Sequence, residues 1–114
     1  MKIPKTGEVW YGDYPKEENP SEIMKNRPCI ILDFDEDNQE VMVIKLTRTP
    51  PRDLYDYELK HWAECGLKSA TTARISKISN IDYSDLHNKK GQLHPNDELI
   101  ISQILEELSK EEDD

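Results

Sequence analysis

The chain has 114 residues, 34% of them charged and 35% hydrophobic, with a formal net charge of -9. That length fits one domain around one modest core, and apolar residues gathered into a few periodic runs exclude a wholly disordered chain. No apolar stretch approaches the roughly 20 residues of a membrane helix, and Met1-Lys2-Ile3-Pro4-Lys5 lacks a signal-peptide core, so a soluble cytoplasmic protein is expected.

In chain order, Glu8-Val9-Trp10-Tyr11-Gly12-Asp13 reads as a first strand. Tyr14 to Lys25, with Pro15, Pro20, Asn19 and three glutamates, reads as a polar connecting loop. Two short apolar runs then flank the acidic Asp35-Glu36-Asp37-Asn38. They are Asn26-Arg27-Pro28-Cys29-Ile30-Ile31-Leu32-Asp33 and Glu40-Val41-Met42-Val43-Ile44-Lys45-Leu46-Thr47. Together they predict an antiparallel hairpin. Arg27 opens its first strand and Thr47 closes its second, so both come to one end of the hairpin. A guanidinium beside a hydroxyl suits a phosphate, because the planar fork donates two hydrogen bonds and keeps its charge. The plainer alternative is a rim arginine and an ordinary strand-end threonine.

Arg48-Thr49-Pro50-Pro51-Arg52-Asp53 is held extended by its prolines and forms a stiff rim on which Arg48 and Arg52 suit flanking phosphates. Tyr55, Tyr57 and Trp62 follow; aromatics among basic residues stack unpaired bases, although core packing is the commoner use of tryptophan. Thr71 to Ile78 reads as a strand with Ala73, Ile75 and Lys77 on one face and Thr72, Arg74, Ser76 and Ile78 on the other. Ile81 to Leu86 is expected to hold a strand end and a helical turn. His94-Pro95-Asn96-Asp97-Glu98 starts a helix with proline at its first position and acids in its first turn. Leu99, Ile100, Ile101, Ile104, Leu105 and Leu108 are its apolar stripe. The division expected is a domain over residues 1–108 and an acidic, fraying tail over residues 109–114.

Cys29 and Cys65 form no CxxC pair, and Cys29 sits in an apolar strand as a small buried hydrophobe. Cys65 with His61 four residues before it leaves a thiol nucleophile open as an alternative. His61, His87 and His94 lack ligand spacing, so neither a metal nor another cofactor is expected. Residues 1–40 hold five Lys/Arg against ten Asp/Glu, residues 41–94 nine against six, and residues 95–114 one against eight. The middle third is locally basic inside an acidic chain, which allows a nucleic-acid groove formed by Arg48, Arg52, Arg74, Lys77 and Trp62. The overall charge predicts weaker or more salt-sensitive binding than a basic relative would show.

Several blocks, in order, resemble the PemK/MazF toxins: Gly7-Glu8-Val9-Trp10, Arg27-Pro28-Cys29-Ile30-Ile31, Lys45-Leu46-Thr47, and Trp62-Ala63-Glu64-Cys65-Gly66-Leu67-Lys68 running into Thr71 to Ile78. The closing Lys90-Gly91-Gln92-Leu93-His94-Pro95-Asn96-Asp97 and its helix match as well, so the resemblance covers roughly Gly7 to Leu105. It implies a mainly β (α+β) fold, a small SH3-like barrel with a C-terminal helix, assembled as a homodimer. It implies a sequence-specific, metal-independent endoribonuclease of a type II toxin-antitoxin system, acting on single-stranded RNA and silenced by a cognate antitoxin peptide. By the same resemblance Arg27 and Thr47 are the catalytic residues of 2′-hydroxyl attack on the adjacent phosphate, which leaves 2′,3′-cyclic phosphate and 5′-hydroxyl ends. The first loop is implied to be mobile and to cover the groove.

The chain departs from the pattern of those members that carry a glutamate just before the arginine. Met24-Lys25-Asn26 stands there and Glu22 is the nearest acid, so the general base is unassigned. That departure and the net charge leave a non-catalytic binding module of the same fold as the rival reading. A gyrase-poisoning relative, which relies on C-terminal aromatic and glycine residues, ranks last because this chain ends in acids.

Overall fold

The computed structural model describes residues 2–112. Its elements run β1 (Glu8–Pro15), β2 (Ile23–Asp35), β3 (Glu40–Thr47), β4 (Asp56–Glu58), β5 (Thr72–Asp82), a 3-10 turn (Tyr83–Asp85), β6 (Leu86–Gln92) and α1 (Pro95–Glu112). The strands form one antiparallel six-stranded sheet in the order β4-β5-β3-β2-β1-β6. The mainly β small barrel with a closing helix is therefore the observed class.

The sheet coils tightly enough to bury both faces of its central strands. Val9, Ile30, Ile44, Leu46, Ala73 and Ile75 pack on one side with Leu93 and Ile101, under the helix. Their neighbours along the strands, Trp10, Cys29, Ile31 and Val43, point the other way and form a second cluster with Tyr14, Val41 and Ile81. Successive side chains alternate across a strand, so a continuous apolar run such as Cys29-Ile30-Ile31 is what burial on both faces requires. Bulges supply the bend. The register slips between Gly12 and Tyr14 on β1, and between Ile44 and Lys45 on β3, where β5 jumps from Ile78 to Arg74. Gly91 lets the coil close: a Cβ there would lie 2.2 Å from the Cys65 carbonyl oxygen, a distance no side chain tolerates.

Several boundaries differ from expectation. Tyr14 and Pro15 pair with Met24 and Ile23, so the connecting loop shrinks to residues 16–22. β6 was not visible in Leu86-His87-Asn88-Lys89-Lys90-Gly91-Gln92, because an outermost strand that buries only Leu86 carries almost no apolar alternation. Ser109–Glu112 continue the helix rather than forming a separate tail, and Asp113–Asp114 lie outside the described residues.

On α1, Asp97, Ile101, Ile104, Leu105 and Leu108 face inward at helical spacing, while Leu99 is 57% exposed and leaves the expected stripe. Asp97 is the pin. Its buried carboxylate accepts hydrogen bonds from the Tyr57 hydroxyl (2.6 Å) and from the backbone N–H groups of Lys60 (3.1 Å) and His61 (2.9 Å). One side chain in the first helical turn thus clamps β4 and the chain after it to the helix.

Candidate nucleic-acid interface

The ladder between β2 and β3 ends at Cys29↔Lys45, and Arg27 and Thr47 lie two residues further along each strand at the open end of the hairpin. Below them Tyr14, fully buried on β1, donates its hydroxyl to the carbonyl oxygens of Pro28 (2.9 Å) and Leu46 (3.4 Å). That single group holds both strands where the ladder has stopped. Burial pushes the Tyr14 pKa up, so the hydroxyl keeps the proton it donates.

Two grooves meet at this end. One, of about 320 Å³, is lined by Tyr11, Asn26, Arg48, Leu67, Lys68, Ser69 and Thr71; the other, of about 220 Å³, by Glu17, Glu18, Met24, Lys45, Thr49, Arg52 and Arg74. Arg27, Leu46 and Thr47 line both. Arg27 is exposed and has no salt bridge among the described residues. The Thr47 hydroxyl oxygen accepts the backbone N–H of Thr49 (3.2 Å), which leaves its own hydrogen to donate. An anion at the junction would therefore meet an unneutralised guanidinium and a hydroxyl donor together.

The segment before Arg27 is fixed from the side. Asn26 adopts φ 53°, a left-handed conformation that asparagine tolerates better than most residues. Its backbone N–H donates to the Asp13 carboxylate at 2.8 Å, and His87 Nε2 lies 2.9 Å from the same oxygen. The Asn26 N–H and then His87 hold the Asp13 pKa below the usual carboxylate range.

The remaining sequence-predicted contacts separate into distinct groups. Arg48 is exposed on the first groove and unpaired among the described residues. Lys77 is exposed, three residues past Arg74 in the bulge of β5. Arg52 is bridged to Glu17 at 3.4 Å. Arg74 is buried with most of its donors taken: Nε and Nη2 reach Glu17 at 3.1 and 2.9 Å, and Nη1 reaches Asp56 at 2.6 Å and Asp53 at 3.1 Å. Burial opposes its charge, yet the hydrogen bonds from Glu17 and Asp56 outweigh that and raise its pKa above the ordinary arginine value. As placed, Arg74 is a strut joining β5 to β4 and to the first loop, its charge already met by Glu17, Asp53 and Asp56. Trp62 lines neither groove and packs against the main core.

Lys45 is a further groove residue, signalled in the sequence by a lysine at an inward position of an apolar strand. It lines the second groove, is only 8% exposed, and places Nζ over the Tyr14 ring at 5.9 Å. The thiols fall away as nucleophiles: burial pushes Cys29 up to about 12, and Cys65, also buried and raised, donates to the Trp62 carbonyl while His61 turns to Glu64.

The histidines that look scattered in sequence partly converge. His61 Nδ1 lies 3.0 Å from Glu64, His94 Nε2 lies 3.6 Å from the same carboxylate, and the two rings stack at 3.7 Å and 15°. A ring nitrogen donates its lone pair in its own ring plane, and two stacked planes do not share one ion. The His94 Nδ1 also accepts the Asn96 N–H at 3.1 Å, which leaves the proton of the neutral ring on Nε2. As placed, His61 is hydrogen-bonded to Glu64 and carries the His94 ring stacked on it at the helix start.

Residues 5–109 match the family described as PemK-like, MazF-like toxin of type II toxin-antitoxin system. No curated protein sequence matches the chain. Among solved structures it is similar to an endoribonuclease from Mycobacterial species, at 18% identity and TM-score 0.68, covering 92% of this chain and 89% of that one. It is similar to an endoribonuclease in complex with its cognate antitoxin, also from Mycobacterial species, at 17% identity and TM-score 0.69, covering 90% and 91%. A third, Mycobacterium tuberculosis toxin MazF-mt6, shows 18% identity and TM-score 0.66 over 88% and 93%. With a family match spanning almost the whole chain and a fold shared with these toxins, the chain belongs to the PemK/MazF family of toxin-antitoxin toxins.

Proposed function

We propose that the protein is a metal-independent, sequence-specific endoribonuclease toxin that cleaves single-stranded RNA and is neutralised by a cognate antitoxin. The supporting observation is the meeting of Arg27 and Thr47 where two grooves join, with the guanidinium unpaired among the described residues and the hydroxyl hydrogen available. Arg27 stabilises the negative charge that develops on the phosphate oxygens as the 2′-hydroxyl attacks, and Thr47 donates to one of them and fixes the attack geometry. The products are a 2′,3′-cyclic phosphate and a 5′-hydroxyl. Arg48 and Lys68 on the first groove and Lys77 beside the second extend a cationic track for flanking phosphates. An extended, acidic antitoxin segment fits the same track.

The purified protein is expected to cleave single-stranded RNA in excess EDTA, with cyclic phosphate ends on mapping. Arg27→Ala should lower the rate by at least about 100-fold, the scale of one lost preorganised donor. Strict dependence on added Mg²⁺ or Mn²⁺, or 3′-hydroxyl products, would overturn the mechanism. A specific observation favours a second reading. Glu17, Asp53 and Asp56 surround Arg74, and Glu17 also holds Arg52, so part of the groove is already neutralised as it would be in a non-catalytic binding module. Tight RNA or peptide binding without cleavage in the same assay would select that reading.

A further inference from the structure

The grooves hold two kinds of cation. Arg74 and Arg52 are paired with carboxylates, whereas Lys45 has no salt bridge or hydrogen bond from its ammonium among the described residues. Since no buried polar atom lacks a partner, the Lys45 tip must open to the groove while its stem is enclosed. Lys45 and Thr47 stand two apart on β3, so their side chains leave the same face of the sheet, the face that also carries Tyr14. With its stem buried and its tip unpartnered at the groove, the ammonium is placed to be completed by a ligand that enters there. An anion at the Arg27–Thr47 junction would do so.

Resting on the nuclease reading, we infer that Lys45 is a third catalytic residue, delivering a proton to the 5′-oxygen that leaves the scissile phosphate. The 2′-oxygen forms its bond to phosphorus and loses its proton to solvent. The bond from phosphorus to the 5′-oxygen breaks, its electron pair stays on that oxygen, and the oxygen takes a proton from Lys45 Nζ, which solvent then restores. The chemistry divides naturally between the two cations. Arg27 stabilises charge but does not give up a proton, because a guanidinium titrates far above any working pH. A lysine gives one up readily once burial has lowered its pKa. Burial does lower that of Lys45, with Lys77 and Arg74 acting in the same direction and Glu17 and Glu18 against it. Arg27 from β2, Arg52 and the Tyr14 ring complete the surroundings.

The test compares an ordinary RNA with one whose scissile link carries a 5′-bridging sulfur, a leaving group that needs no proton. Lys45→Met keeps the buried stem, and circular dichroism checks its fold. It should slow cleavage of the ordinary RNA by about 100-fold or more, the range of general acid catalysis, and leave the sulfur-linked RNA within a few-fold of the unaltered protein. Lys45→Arg keeps the charge without a transferable proton and should show the same split, with binding of a 2′-deoxy analogue retained. Arg27→Ala should be slow on both substrates. Equal slowing of both substrates by Lys45→Met, or full activity of Lys45→Arg on ordinary RNA, overturns the inference and leaves the nuclease standing. An unaltered protein that cleaves neither substrate overturns both.

Discussion

Asp97 shows how much one side chain can decide here. Its carboxylate completes a hydroxyl and two backbone N–H groups at once. Asp97→Ala would strand them, and at about 1 to 3 kcal/mol for a buried polar group left unpaired the loss should reach about 3 kcal/mol, read from denaturant unfolding. Burial raises the Asp97 pKa, but the Tyr57, His61 and Lys60 hydrogen bonds outweigh it and the net shift is downward. A depressed native pKa means stability present above the unfolded value of about 4 and lost as pH falls through the native one. The unfolding free energy of the native protein should therefore drop below pH 4, and the drop should be smaller in Asp97→Ala. Asp97 was legible only as an acid in a first helical turn, because its three partners sit 36 to 40 residues earlier in the chain.

One wall of the second groove is the short loop over residues 16–22, tethered through Glu17 to Arg74 and Arg52. Glu17 occupies donors that a phosphate or an acidic peptide would otherwise use, and its charge repels both. Glu17→Gln should tighten RNA binding by about two- to fivefold at low salt, the effect of removing up to about 1 kcal/mol of rim electrostatics, and the gain should shrink as salt rises. Fluorescence anisotropy at two salt concentrations measures it; unchanged or weaker binding would mean that the loop is a fixed wall. Arg74 is a poor probe by comparison. Asp56, whose side chain is fully enclosed, would be left as an unpaired buried carboxylate in Arg74→Ala.

As a whole the molecule presents apolar surface that a solitary 13.3 kDa chain has little use for: Leu54 is 83% exposed, Leu99 57% and Ile3 52%. The sheet also ends in two outer strands, β4 and β6, each with an unpaired edge. Pairing of two copies would cover such surface, and light scattering at micromolar concentration should give twice the chain mass. A monomer mass would remove the homodimer and with it any groove formed across two barrels. The net charge of -9 keeps long-range attraction to RNA weak, so the local excess of cations in residues 41–94 has to carry binding.

By itself the sequence determined the β2–β3 hairpin, the start of the helix and the placing of Arg27 and Thr47 at one end of that hairpin. All of these follow from short-range rules: alternation along a strand, turn residues between two runs, and a register set by a tight connection. Only the tertiary structure decided what each charge near the junction is free to do. Arg74 and Arg48 look equivalent in sequence, but Glu17, 57 residues before Arg74, meets it in space and none of the described acids pairs with Arg48. Lys45 became a groove-lining residue, Trp62 a packing residue and His61 a neighbour of His94 through coiling of the sheet, which sums contacts from distant segments that no local pattern records. Periodicity reports which face a residue occupies; the long-range packing of an acidic chain reports which of its cations remain unpaired.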